Sequence, residues 1–327
     1  MSSIADFAAH PGFMAAPFGS TARQATSRPA ISGYGLHSFD NLTVEMDAKS
    51  RTCWCYMRPQ ERASFTPALL ADMARLQRSF TQICSDAPPM DSPLRYLVVG
   101  SHVPGIFNLG GDLPLFASLI RSGDRDALHA YARSCIDVIY NNATAYELPI
   151  VTIAMVQGDA LGGGFEAALS CNVIVAERSA KFGLPEILFN LFPGMGAYNF
   201  LSRRLGPVAA EKIILSGKVY DAAELQAMGL IDIMVDDGRA PATIRSYIAR
   251  HSRRHNAEHS VYRVRQTMDP IHYQELCEIG DIWVEAALRL SEADLRKMER
   301  ITVAQERRWA ARESSEAPEF SSRRSAS

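Results

Sequence analysis

The stretch Val156-Gln157-Gly158-Asp159-Ala160-Leu161-Gly162-Gly163-Gly164-Phe165-Glu166-Ala167-Ala168-Leu169-Ser170-Cys171 constrains the fold more than any other part of the chain. An apolar strand, Ile150 to Val156, runs into three glycines, and a helix opens behind them with Glu166 in its first turn. Glycine lets a backbone approach a ligand closely and reach torsions that a Cβ forbids. The unpaired amides of a helix start, with aligned peptide dipoles behind them, favour negative charge. This is equipment for holding an oxyanion, with a carboxyl group one turn further in to handle a proton. The same pattern also occurs as nothing more than a tight strand-to-helix connection. Its spacing is not the Gly-x-Gly-x-x-Gly dinucleotide fingerprint, and the chain has no Gly-Lys-Ser/Thr phosphate loop.

Around this stretch the chain alternates strand and helix patterns. Leu42 to Met46 and Thr52 to Met57 read as a hairpin joined by Asp47-Ala48-Lys49-Ser50. Phe65 to Ile83 has helical spacing through Leu69, Leu70, Met73, Leu76, Phe80 and Ile83. Leu94 to Val99 is a core strand, followed by a second glycine-bearing turn, Phe107-Asn108-Leu109-Gly110-Gly111-Asp112-Leu113, entering a helix. A long helix starts at Asp124 as N-cap and runs to about Tyr146, with Leu128, Tyr131, Cys135, Ile136 and Ile139 on its apolar face. Val173 to Ala176 is a strand, and Lys181 to Glu186 a strand end or turn. Two or three short helices fill Tyr198 to Met228 before a strand at Leu230 to Val235, and helix follows almost to Arg312. Such alternation predicts an α/β layered fold. The expected organisation is a flexible arm over residues 1–35, a core over 36–238, a C-terminal helical region over 239–312 and a disordered tail over 313–327. A transit sequence is the alternative for the arm, disfavoured by its sparse arginine.

The bulk properties exclude several classes. With 327 residues and 47% apolar content the chain can fill a sizeable core. A net charge of −2 argues against a general nucleic-acid binder. No apolar run approaches the ~20 residues that span a bilayer. The N-terminus lacks the basic start and apolar stretch of a secretory signal. Six cysteines are scattered, and only Cys53 and Cys55 are close, on one face of a strand with nothing near in sequence to complete a zinc site. They read as buried structural thiols in a reducing cytoplasm, and no cofactor or metal is expected.

Three features share one chemical logic. The glycine turns at Gly110-Gly111 and Gly162-Gly163-Gly164 can each present a backbone amide, and two converging amides make an oxyanion hole for a carbonyl oxygen. Glu166 and Glu186 are both flanked by apolar residues, surroundings that raise a carboxyl pKa toward the range useful for proton transfer. Leu188-Phe189-Asn190-Leu191-Phe192-Pro193-Gly194-Met195-Gly196 is an apolar loop able to wall an acyl pocket. Taken singly, each glutamate also fits a surface group or a helix-start stabiliser, and the loop also fits plain core.

The ordered combination Phe107-Asn108-Leu109-Gly110-Gly111-Asp112, Ala160-Leu161-Gly162-Gly163-Gly164-Phe165-Glu166 and Phe182-Gly183-Leu184-Pro185-Glu186 resembles the crotonase (enoyl-CoA hydratase/isomerase) superfamily over about Leu36 to Val235 and into the helical tail. Phe107 to Leu113, Leu119 to Arg125, Val156 to Cys171, Leu191 to Tyr198 and Ile282-Trp283-Val284 resemble one branch, the diffusible signal factor synthases, which make cis-2-unsaturated fatty acids for bacterial quorum sensing.

The resemblance implies a crotonase-like spiral of strand–strand–helix units with a C-terminal helical region. It implies oxyanion-hole amides at Gly111 and Gly163, catalytic carboxyls at Glu166 and Glu186, and an acyl pocket taking Leu161, Gly162, Met195 and Trp283. In that branch a 3-hydroxyacyl group on acyl carrier protein is dehydrated to the cis-2-enoyl thioester, which the same site hydrolyses to the free acid. Acyl-CoA is the alternative substrate form, but Arg58-Pro59-Gln60-Glu61-Arg62 does not look like the Asn-rich loop of ordinary hydratases near the coenzyme A site. A homotrimer or hexamer is implied, and a membrane sensor kinase is a further implied partner. The rival readings are a plain enoyl-CoA hydratase or isomerase of fatty-acid metabolism and a regulatory partner that acts by binding a membrane sensor kinase. The basic stretch Arg250, Arg253, Arg254, Arg263 and Arg265 either docks the acidic carrier protein or is a solvated helix face.

Overall fold

The computed structural model describes residues 39–85 and 91–313. The arm expected over residues 1–35 lies outside the described residues, as does the tail beyond Glu313. The predicted hairpin forms as Leu42–Asp47 (β1) and Thr52–Met57 (β2), paired antiparallel from Leu42↔Met57 to Asp47↔Thr52. Its turn is closed by Asp47 Oδ1, which accepts from the amides of Lys49 at 3.0 Å and Ser50 at 3.2 Å.

After the helix Pro67–Cys84 (α1), the chain winds as a spiral that alternates between two sheets. Tyr96–Ser101 (β3), Val151–Val156 (β5), Val173–Glu177 (β7) and Ile233–Val235 (β10) extend the hairpin into a six-stranded sheet ordered β1-β2-β3-β5-β7-β10, parallel from β2 onward. The short strands Ile106–Asn108 (β4), Asp159–Leu161 (β6), Lys181–Gly183 (β8) and Val219–Asp221 (β9) make a second, four-stranded sheet. Each turn of the spiral therefore lays a strand in the first sheet and the next in the second. At the bends the chains stack backbone on backbone: a Cβ on Gly158 would overlap the peptide of Gly105. Sequence reading ran one strand straight into the glycines of residues 162–164; the structure inserts β6 between them.

Both faces of the six-stranded sheet are covered, as parallel sheets require. Along β2, Cys53, Cys55 and Met57 face the main core, while Trp54 and Tyr56 face a second cluster on the other side. The main core is closed by α1 and the helix Arg125–Ala143 (α3), whose N-cap Asp124 accepts from the Ala127 amide at 3.0 Å as its sequence predicts. Leu113–Ser122 (α2) and Gly163–Leu169 (α4) follow the two glycine turns, and Ala197–Leu205 (α5), Pro207–Ser216 (α6) and Ala222–Ala227 (α7) complete the core. Ala240–His251 (α8) packs Ala240, Ile244, Tyr247 and Ile248 on the sheet's second face, followed by His255–Met268 (α9). Tyr273–Ala287 (α10) lies on α3, where Gly280 leaves no room for a Cβ beside Ile136. Glu292–Glu313 (α11) crosses α2, held by Arg121 to Glu292 at 2.7 Å and to Glu299 at 2.8 Å. No helix among the described residues is long and apolar enough to cross a membrane. All six cysteines are buried and free.

Candidate active site

The first glycine turn leaves β4, and its amides can be accounted for one by one. Leu109 N donates to Ala63 O at 2.7 Å, and Gly110 N to Asn108 Oδ1 at 2.8 Å. Asp112 N donates to the Tyr131 hydroxyl at 3.2 Å. Between them, Gly111 N has no acceptor among the described residues. Asp112 caps α2, accepting from Leu115 N at 3.2 Å and from Arg62 Nη1 at 2.7 Å. Gly110 sits at φ +94° with Leu161 O and Gly163 N at 2.8 and 3.0 Å from where its Cβ would stand. Only glycine allows this torsion and this approach of the two turns.

The second turn is fixed by sheet pairing. Leu161 of β6 pairs with Gly183 of β8, and Gly162 N donates to Gly183 O at 2.8 Å. Gly162 adopts φ +50° and ψ −126°, and α4 begins behind it, so the amides of Gly163 and Gly164 are left without acceptors among the described residues. The same pairing places Glu186. After Gly183 the chain enters the 3-10 turn Pro185–Phe189, and the Glu186 carboxyl comes to lie where a Cβ on Gly162 would stand.

The two carboxyls are enclosed but served differently. Glu166 is 1% exposed, and its Oε1 accepts from the amides of Met195 and Ala197, both at 2.8 Å. Burial pushes its pKa up to about 7 against the opposing pull of those two donors. Glu186 is half-buried through its stem, but Oε2 is shut away with no hydrogen-bond partner among the described residues. Burial, then the charge of Glu166, push its pKa up to about 8. Two such groups do not both ionise readily; near neutrality they hold one proton between them, which makes one acid and one base available together.

Gly111, Gly163, Glu166, Glu186, Met195 and Trp283 all line one cavity of about 40 Å³. Of the eight residues expected at the site, Gly162 and Leu161 do not line it. Gly162 stands behind the Glu186 carboxyl, and the Leu161 side chain packs with Ala63, Ile106 and Leu109 on the far side of the turn. In the apolar loop, Phe189, Leu191, Gly194 and Met195 wall the cavity. Sequence reading missed Leu113, Phe116, Tyr131, Ala132 and Cys135 as lining residues. Tyr131 and Cys135 carried a signal, the apolar face of α3, but periodicity says that a face is buried and not against what.

A cavity of about 40 Å³ holds two or three waters and no acyl chain. A thioester head with its first carbons enters only if flexible lining groups, such as the Met195 thioether, move aside. The described residues hold no cluster of three or more metal-ligating side chains. A larger cavity of about 620 Å³ lies at the other end of α4, lined by Leu169, Ser170, Arg203 and Arg204 together with Arg263 and Arg265 of the basic stretch. Arg253 and Arg254 sit in an exposed 3-10 turn.

Comparison with known proteins matches residues 57–273 to the pattern of the family "Enoyl-CoA hydratase/isomerase". Among curated proteins, mitochondrial methylglutaconyl-CoA hydratase of Mus musculus is 38% identical over 154 residues, 47% of this chain and 47% of that protein. The probable enoyl-CoA hydratase echA8 of Mycobacterium leprae is 36% identical over 164 residues, 48% of this chain and 60% of that protein. The chain thus spans about half the length of the curated relatives it matches. Among solved structures, Pseudomonas aeruginosa DspI superposes with a TM-score of 0.61 at 27% identity, covering 71% of this chain and 89% of that one. An enoyl-CoA hydratase from Bacillus halodurans superposes with a TM-score of 0.67 at 18% identity, covering 80% and 99%, a likeness of fold.

Proposed function

The chain belongs to the enoyl-CoA hydratase/isomerase family, and from that premise we propose that it dehydrates a 3-hydroxyacyl thioester to the cis-2-enoyl thioester and then hydrolyses it to the free unsaturated acid. One observation carries the reading: two glycine turns, each with an amide that lacks an acceptor among the described residues, and two enclosed carboxyls border a single cavity. The amides of Gly111 and Gly163 grip the thioester oxygen and acidify the α-carbon. One of Glu166 and Glu186 takes the α-proton, and the other protonates the departing 3-hydroxyl. A water activated by the same pair then attacks the thioester carbonyl, and the thiol leaves with a proton. Side chains of Phe116, Met195 and Trp283 receive the first carbons of the acyl chain. The motifs shared with the diffusible signal factor synthases support this branch, as does the likeness to DspI over 89% of that chain. The carrier is acyl carrier protein, in keeping with the unusual Arg58 to Arg62 segment, where Arg62 is engaged by Asp112.

The 38% identity to methylglutaconyl-CoA hydratase favours a second reading, a hydratase or isomerase without hydrolysis. Incubation with 3-hydroxyacyl carrier protein, followed by mass spectrometry of the products, separates them. Free cis-2-unsaturated acid is the expected product; a stable enoyl thioester with no free acid assigns the second reading instead.

A further inference from the structure

We infer that Tyr131 is a positioning residue that holds the Gly111 amide in place for the reaction. This inference rests on the reading of Gly111 as an oxyanion donor. Tyr131 stands on α3, far in sequence from the turn, and is buried at 7% exposure. Its hydroxyl donates to Phe65 O at 2.6 Å and accepts from Asp112 N at 3.2 Å. On the near side of Gly111, the Gly110 carbonyl accepts from Phe65 N at 2.8 Å. The peptides flanking Gly111 are thus both paired with Phe65 in an isolated parallel bridge, and on the Asp112 side the phenol braces that pairing. Gly111 itself is bracketed, and its amide has no acceptor among the described residues. The hydroxyl lies 3.7 Å from where a Cβ on Gly111 would stand, and the ring of Phe116 lies 2.6 Å from the same point.

The phenol's one proton goes to Phe65, and its oxygen takes one from Asp112 beside the Cys135 thiol. It has no proton to give a substrate, although the residue lines the cavity. Its ring stands edge-on to Phe116 at 4.9 Å between centroids, an apolar contact that does not need the oxygen. Removing the oxygen alone therefore leaves the packing and releases the turn. The isolated parallel bridge between Phe65 and Gly111 already turns the Asp112 amide toward the Phe65 carbonyl, and without the phenol oxygen set against both groups the two draw together. The Gly111 amide shifts with them, and a displaced donor loses the negative charge that builds up only in the transition state.

The test is Tyr131→Phe in the full chain, measured two ways. Hydrogen–deuterium exchange of the peptide spanning residues 107–113 should quicken by about tenfold in the variant, while that spanning 162–169 stays as in the wild type. With an acyl thioester that the wild type turns over, kcat should fall about 10- to 100-fold, KM should stay within about threefold, and the pH profile should keep its shape. A para-aminophenylalanine at position 131, which restores a donor and an acceptor, should recover most of the rate. Unchanged exchange overturns the brace whether or not any thioester is turned over. Quicker exchange with unchanged kcat, or a loss carried by KM, overturns the positioning role. If the wild type processes no acyl thioester, the proposed function fails, and the exchange result still decides whether the hydroxyl holds the turn.

Discussion

Glu166 and Glu186 face the same space, but Glu166 Oε1 accepts from the amides of Met195 and Ala197, whereas Glu186 Oε2 has no partner among the described residues. Activity needs one of the pair ionised and the other protonated. The rate should therefore follow a bell, rising as the first proton is lost near pH 7 and falling as the second is lost near pH 8. Glu166→Gln and Glu186→Gln should each cut product formation by at least about a hundredfold; rates within tenfold of wild type in either would remove that residue from the chemistry. Stability moves with the same protons. Both carboxyls bind a proton more tightly folded than unfolded, so their contribution is whole below the ordinary carboxyl range and is lost as pH climbs through 7 to 8. Melting of Glu186→Gln relative to wild type should accordingly rise between pH 5 and pH 9; a pH-independent difference would mean the group is not buried as described. The glycines offer a sharper contrast. A Cβ on Gly164 overlaps the backbone carbonyl of Asn108, whereas one on Gly163 meets the flexible end of Met195 at 2.5 Å. Gly164→Ala should destabilise by about 2–3 kcal/mol and Gly163→Ala by under about 1 kcal/mol, but Gly163→Ala fills the cavity and should lose most activity. Thermal melts beside rate measurements would check the pair, and equal melting losses would contradict the packing described.

Elements from distant parts of the chain meet at this cavity: α2, α3, α4, the 3-10 turn at Pro185 and α10. The contribution of α10 is Trp283, which lies against Phe116 at 5.0 Å between ring centroids and blocks any side chain at Gly194. This indole is the largest side chain lining the cavity. Trp283→Ala should shift the preference toward longer chains, raising kcat/KM for long relative to short substrates by about tenfold. A chain-length series would measure it, and an unaltered ratio would place the chain elsewhere. The element α11 closes the other side of the first turn, with Gln305 donating to Leu109 O at 3.1 Å.

At the scale of the molecule, what could be read from the sequence was what is written locally. Glycine turns, the Asp124 cap, the β1–β2 hairpin and the apolar face of α3 depend on neighbours a few residues away. The second sheet did not declare itself, because β4, β6, β8 and β9 are three residues each and too short to carry a period of two. Leu161 was expected in the acyl pocket from resemblance; the pairing of β6 between β4 and β8 puts it with Ala63 and Ile106. Tyr131 and Phe116 belong to the site through contacts between helices that no local pattern encodes. The account stands on one juxtaposition, two peptide donors and two acids about one thioester. A crystal structure of Glu186→Gln holding a 3-hydroxyacyl pantetheine would test it most directly. The account predicts the thioester oxygen within about 2.7–3.1 Å of both Gly111 N and Gly163 N, with the α-carbon beside Glu166; an oxygen turned away from either amide would contradict it.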